Sequence, residues 1–215
     1  MKSFLAPLFA PLLALGFLGG STFAADAPPV AATPSVAVPR IAIQPLGKVS
    51  ADVVAETRKS LQRLYAAEVV TLPMKELPAA AFYKPRQRYR AEKLLDWLEA
   101  ETDAGFTKII GLTQADISTS KGEIYDWGIF GLGSLGGRAC IVSSFRLARK
   151  VTRVKMLDRF GKVAGHEIGH TFGLEHCATP GCLMADAEGK VSTVDNEPGD
   201  LCEACRKRSP AKAPR

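Results

Sequence analysis

Histidine is nearly absent from this chain: there are three in 215 residues, all inside the stretch from His166 to His176. Only one place can therefore be rich in imidazole. Long apolar runs are missing as well. The run from Leu5 to Leu18 falls short of bilayer length and carries Pro7 and Pro11, which argues against a permanent membrane helix. Charge of one sign is not concentrated either. The formal excess is +6, and its densest clusters are Lys84-Pro85-Arg86-Gln87-Arg88-Tyr89-Arg90 and the tail Arg206-Lys207-Arg208. No nucleic-acid module motif accompanies them, so they read as solvated faces and a terminus, and no nucleic-acid partner is expected. No cysteine precedes Cys140, so nothing suggests a lipid anchor on a new N-terminal cysteine.

What is present begins with a leader. Lys2, the apolar run and the small residues ending at Ala24 and Ala25 read as a secretory signal peptide, residues 1–25, cut after Ala24 or Ala25. The expected product is exported, periplasmic or secreted, without a stable membrane anchor. Loss of Lys2 lowers the formal charge from +6 to about +5. Residues 26–39, rich in Ala, Pro and Val, lack an amphipathic period and read as a linker. Residues 40–208 suffice for one domain, with two lobes around a cleft, and 209–215 read as a disordered tail. A monomer is expected.

Within the domain, Arg40 to Leu46 alternates as a strand, followed by a helix that Ser50 or Asp52 caps, with Val53, Val54, Thr57, Leu61, Leu64 and Tyr65 on its apolar stripe. Glu68 to Leu72 predicts a second strand. Tyr89 to Glu101 predicts a helix burying Leu94, Leu95, Trp97 and Leu98, and Lys108 to Thr113 a central strand. The glycine-rich segment 128–137 precedes a strand expected over Arg138 to Leu147. Loop before strand is the wrong order for a phosphate-binding loop, which needs strand, loop, helix. The segment reads instead as a sheet edge beside a cleft, where an extended peptide adds as a further strand. From Leu147, apolar residues recur at 151, 154, 157, 160, 164, 168 and 172, predicting a long helix that Gly161 and Gly165 could divide.

That helix carries the chemistry. His166-Glu167-Ile168-Gly169-His170-Thr171-Phe172-Gly173-Leu174-Glu175-His176 sets two histidines four positions apart, on one helical face. At 100° per residue they lie opposite the stripe of Ala164, Ile168 and Phe172, facing out of the core. Gly173 supplies the positive backbone angle that ends the helix and brings His176 back to the same point. Three neutral nitrogens then hold zinc and leave a position for water, with Glu167 beside it as general base. The pattern H-E-x-x-H-x-x-G-x-x-H opens the metzincin signature, whose methionine turn Met184 would supply.

Cys177, Cys182, Cys202 and Cys205 form two pairs at metal-ligand spacing, which points to a closed structural zinc site. Export favours the rival, two disulfides. Cys140, inside a predicted strand, reads as a buried free thiol.

The run from His166 to Cys205, H-E-x-x-H-x-x-G-x-x-H-C-x4-C-x-M-x17-C-x2-C, resembles the archaemetzincin family position for position. The resemblance implies a compact α+β, metzincin-like zincin domain. Such a domain has a mixed twisted sheet with helices, an active-site helix and a small C-terminal lobe around a four-cysteine zinc site. It further implies a metallopeptidase acting on peptides or proteins with two zinc ions, one catalytic and one structural. His166, His170 and His176 are then the catalytic ligands, Glu167 the general base, Met184 the turn beneath the metal, and the four clustered cysteines the second site. The alternative is an inactive zinc-stabilised peptide- or protein-binding module, against which the intact Glu167 argues.

Overall fold

The computed structural model describes residues 38–212. The leader, all but the last two linker residues, and positions 213–215 lie outside the described residues. In chain order the elements are β1 (Arg40–Pro45), α1 (Ala51–Leu64), β2 (Glu68–Thr71), β3 (Phe82–Tyr83), β4 (Arg88–Arg90), α2 (Ala91–Glu101) and β5 (Lys108–Thr113). There follow β6 (Ile117–Lys121), β7 (Ile124–Ile129), β8 (Gly131–Gly133), β9 (Ala139–Ser143), α3 (Ser144–Leu147), α4 (Arg153–Thr171), α5 (Val191–Asn196) and α6 (Glu203–Lys207).

The main sheet has the order β2-β1-β5-β9-β8. Its first four strands are parallel, and β8 closes the edge antiparallel to β9. Parallel strands need both faces covered, which explains their nearly continuous apolar composition. Alternate side chains enter two cores. Ile41, Ile43, Ile110, Leu112, Cys140 and Val142 pack with Leu61 and Leu64 of α1 and Phe160, Ala164 and Ile168 of α4. Ala42, Ile109, Ala139 and Ile141 pack on the opposite face with Leu94 and Leu98 of α2. A smaller sheet, β3-β4-β6-β7, stands beside the main one. The architecture is therefore α+β with mixed sheets, as expected.

Helices α1 and α4 approach closely because α4 has no side chain at two contact points. The Ser60 hydroxyl donates to the Gly161 carbonyl at 2.7 Å, and the buried Tyr65 hydroxyl to the Gly165 carbonyl at 2.8 Å. A Cβ on Gly165 would lie 2.4 Å from Leu64 Cδ1. These glycines do not divide the helix, which runs unbroken from Arg153 to Thr171. Three other expectations change. The strand expected to reach Leu147 stops at Ser143, whose hydroxyl accepts from the Phe145 amide at 3.1 Å and starts α3. The turn after α3 resets the helical phase, so Val154 is 78% exposed rather than part of the stripe. Finally, the expected tail is docked as far as Lys212: Ala211 bridges Tyr65, and the Lys212 amide donates to the Leu64 carbonyl at 2.9 Å.

Candidate metal centre and cleft

The C-terminal turns of α4 present His166, Glu167 and His170 at one end of the sheet. Gly173 follows with φ +86°, and the Leu174 amide bonds the Gly169 carbonyl at 3.0 Å, so the chain reverses and carries His176 back. The three imidazoles meet, with ring centroids 4.6, 4.9 and 5.4 Å apart. Their ligating nitrogens all lie within 4.8 Å of one another.

His166 Nδ1 lies 2.7 Å from the Leu183 carbonyl and His170 Nδ1 2.7 Å from the Leu174 carbonyl. A carbonyl only accepts, so each Nδ1 carries the proton and each Nε2 keeps a free lone pair. His176 Nδ1 faces Asp186 Oδ2 at 3.5 Å. Burial, then the neighbouring His170, lowers the His166 pKa to about 3, and burial lowers that of His170. Both rings are neutral at pH 7, the form that ligates a metal. Two neutral imidazoles with inward lone pairs, and a third imidazole converging on the same point, are a donor set that fits zinc.

Glu167 is buried against β8, and desolvation pushes its carboxyl up to about 8. A cation on the histidines opposes that shift. The close approach of β8 depends on glycine. A Cβ on Gly131 would lie 2.6 Å from Glu167 Oε1, and one on Gly133 would lie 2.6 Å from the Glu167 carbonyl oxygen. The glycine-rich turn is also fixed to the helix end: the Gly136 amide donates to the His170 carbonyl at 2.9 Å. From β5, Lys108 Nζ donates to Thr171 O at 2.6 Å and Gly137 O at 2.7 Å. Carbonyls left over at the C-terminus of α4 are thus satisfied from two sides, His170 O by the glycine-rich turn and Thr171 O by Lys108 of β5.

Met184 is fully buried against α4, with its sulfur 2.5 Å from where a Gly169 Cβ would stand. A cavity of about 540 Å³ opens over the site, and Trp127, Phe130, Leu132, Val163, Ala187 and Val194 are among its apolar lining.

Behind the third histidine, Cys177, Cys182, Cys202 and Cys205 form a second cluster, their sulfurs also within 4.8 Å of one another. Cys177 and Cys202 Sγ are 3.8 Å apart, Cys182 and Cys205 Sγ 3.7 Å. Sulfurs about 2.3 Å from a tetrahedral ion stand about 3.8 Å apart, whereas bonded sulfurs stand about 2.0 Å apart. The cluster is compatible with zinc. Cys140 is buried in β9 as a free thiol.

Residues 48–209 match peptidase family M54. The chain belongs to that family. The archaemetzincin of Halobacterium salinarum is 33% identical over 176 residues, spanning 78% of this chain and 98% of the relative. The crystal structure of the Archaeoglobus fulgidus archaemetzincin, complexed with malonate, superposes with TM-score 0.67 at 31% identity, covering 79% of this chain and 99% of that one. The Methanopyrus kandleri archaemetzincin gives TM-score 0.66 at 28% identity, covering 79% and 92%. As an M54 peptidase, the protein is a zinc metallopeptidase that hydrolyses peptide bonds in peptides or proteins. Among the described residues no helix is long and apolar enough to cross a membrane.

The three histidines and the four cysteines singled out by the sequence come together as two clusters, Glu167 lines the same cavity as the histidines, and Met184 packs on Gly169. Sequence reasoning missed Asp186 behind His176 and the role of Gly131 and Gly133 in seating Glu167. Alternate glycines within a strand signal close approach of another segment, and that signal was readable.

Proposed function

We propose that His166, His170 and His176 hold the catalytic zinc and that Glu167 is the general base of peptide hydrolysis. The observation that carries this reading is the convergence of three imidazoles beside one buried carboxylate at the floor of the cavity. Zinc, when bound, supplies the Lewis acidity that polarises the scissile carbonyl and acidifies a water. Glu167 takes the proton of the attacking water and returns it to the departing amine. Its burial under β8 suits a base that must work near neutral pH. The Leu183 and Leu174 carbonyls keep two rings in the tautomer that points Nε2 inward, and Met184 supports the helix from below.

Cys177, Cys182, Cys202 and Cys205 hold a second, structural zinc that pins the chain following His176. β8 pairs with β9 along one side, and its other edge accepts substrate backbone as an added strand. A bound peptide analogue without backbone hydrogen bonds to residues 128–146 would refute that docking mode. The chain works as an exported monomer after loss of residues 1–25; N-terminal sequencing and sedimentation of the purified product check both points.

The reaction is tested by chelator-sensitive cleavage of a mixed peptide library. Glu167→Ala should keep its metal and lose at least about a hundredfold in turnover, the low end for a general base. Retained activity would remove Glu167 from the role, and absence of any cleavage by the zinc-loaded wild type would leave a peptide-binding module.

A further inference from the structure

The chain is basic overall, yet the cavity wall carries an acid that the reaction does not use. From His166 the cavity extends back along α4 to Lys162 and Val163, where Val194 of α5 and Glu197, the residue that follows that helix, face it. The segment is firmly placed. Arg159 Nε and Nη2 hold both Asp195 oxygens at 2.8 and 2.7 Å, which locks α5 to α4, and the Glu197 amide donates to the Thr193 carbonyl at 3.2 Å.

The Glu197 carboxylate is half-buried, and among the described residues it receives no hydrogen bond or direct ion pair. Lys162 is the nearby cation, but its ammonium is already taken by Asp158 Oδ2 at 3.2 Å and the Val194 carbonyl at 3.2 Å. Of the three acids on this face, Asp158, Asp195 and Glu197, only Glu197 has no cation in direct contact among the described residues. Lys155 bridges Asp158 at 3.4 Å and Asp195 at 3.0 Å, so with Arg159 and Lys162 the cations and acids balance, and what this wing offers is an unpaired carboxylate rather than an excess of charge. Desolvation pushes the Glu197 carboxyl up to about 7, a cost that an arriving cation would relieve.

Apolar walls leading to an unpaired acid match a long aliphatic stem with a positive tip. We infer that this wing of the cavity is a specificity pocket for a lysine or arginine side chain of the substrate, read by Glu197. The inference rests on the peptidase reading of the same cavity.

The test is cleavage by the zinc-loaded enzyme of peptides that differ in one residue, lysine, norleucine or glutamate, at each position around the scissile bond. The same peptides, fluorescently labelled, are titrated against Glu167→Gln, so that binding is read without turnover. Lysine should exceed norleucine by about tenfold in kcat/KM at one position, as a charge-assisted hydrogen bond supplies. The ratio should fall to about twofold or less in Glu197→Gln and shift towards glutamate in Glu197→Lys.

Equal rates for lysine and norleucine, or a lysine preference that survives Glu197→Gln, overturn the inference and leave the peptidase reading standing. A preference abolished by acetylating the peptide's own amino terminus also overturns it, since Glu197 would then read that amine. Absence of cleavage together with tighter, Glu197-dependent binding of the lysyl peptide supports the pocket and sinks the proposed reaction instead.

Discussion

Replacing Gly131 and Gly133 by alanine separates two consequences of pressing β8 onto the active-site helix. At Gly133 the new methyl meets the Glu167 carbonyl oxygen at 2.6 Å and His170 Cβ at 3.0 Å. A helix backbone atom cannot move alone, so the strand must lift or the helix must shift. Overpacking of this kind costs about 1–3 kcal/mol, and the stiffer unfolded chain offsets about 0.4–1 kcal/mol of it. For a domain of this size the net loss, at most about 2.6 kcal/mol, lowers Tm by up to roughly 10 °C.

At Gly131 the methyl meets the end of a side chain, Glu167 Oε1 at 2.6 Å, Cγ at 2.7 Å and Cδ at 2.8 Å. That carboxylate can swing away. Stability should suffer less, but the base leaves its position, and a displacement near 1 Å costs up to about a hundredfold in rate. Calorimetry and kcat/KM measured on both variants should therefore rank them oppositely: Gly133→Ala the less stable, Gly131→Ala with kcat/KM reduced by about 10–100-fold at nearly unchanged Tm. Wild-type kcat/KM in Gly131→Ala, with wild-type Tm in Gly133→Ala, would show that β8 does not seat Glu167.

Other consequences can be measured separately. Cys202→Ser should lower Tm and remove one equivalent of zinc together, because binding at a closed site is coupled to folding; loss of a disulfide with zinc unchanged would favour bridging. Asp195→Asn should cost roughly 1–3 kcal/mol at pH 7, since it strips the nearly buried Arg159 of its partner. Arg159 holds the Asp195 pKa below the usual carboxylate value, so this contribution is full above about pH 4 and is lost as pH falls through the depressed folded-state pKa. The stability gap between wild type and Asp195→Asn should then be constant from pH 8 to pH 5 and narrow below about pH 4, as urea titrations would show. Tyr65→Phe removes the buried hydroxyl that bonds the Gly165 carbonyl and should cost about 1 kcal/mol, with Tm lower by roughly 2–4 °C; an unchanged Tm would mean that this bond does not tie α1 to α4.

The site was legible because its geometry is local. His166 and His170 share a face through the helical period alone, and Gly173 announces the reversal that returns His176, which φ +86° performs. The strands β1, β2 and β5 and the helices α1 and α2 likewise follow from apolar spacing within each segment. What was illegible depends on neighbours. Gly161 and Gly165 look like helix breaks until α1 is seen filling the space they leave. Val154 fits the apolar stripe in sequence, but the turn after Leu147 rotates it into solvent. Residues 209–212 look like a free tail, and only the docking of Ala211 beside Tyr65 shows otherwise. Glu197 carries no motif, and its isolation became visible only once Lys162 was found occupied by Asp158.

The most direct test is the metal content of the purified chain, measured by elemental analysis on wild type and on His170→Ala. Two zinc ions per chain in the wild type, and one in the variant with its fold retained, are expected. A wild type without zinc, or a His170→Ala protein that still holds two ions, would contradict the assignment of the three histidines.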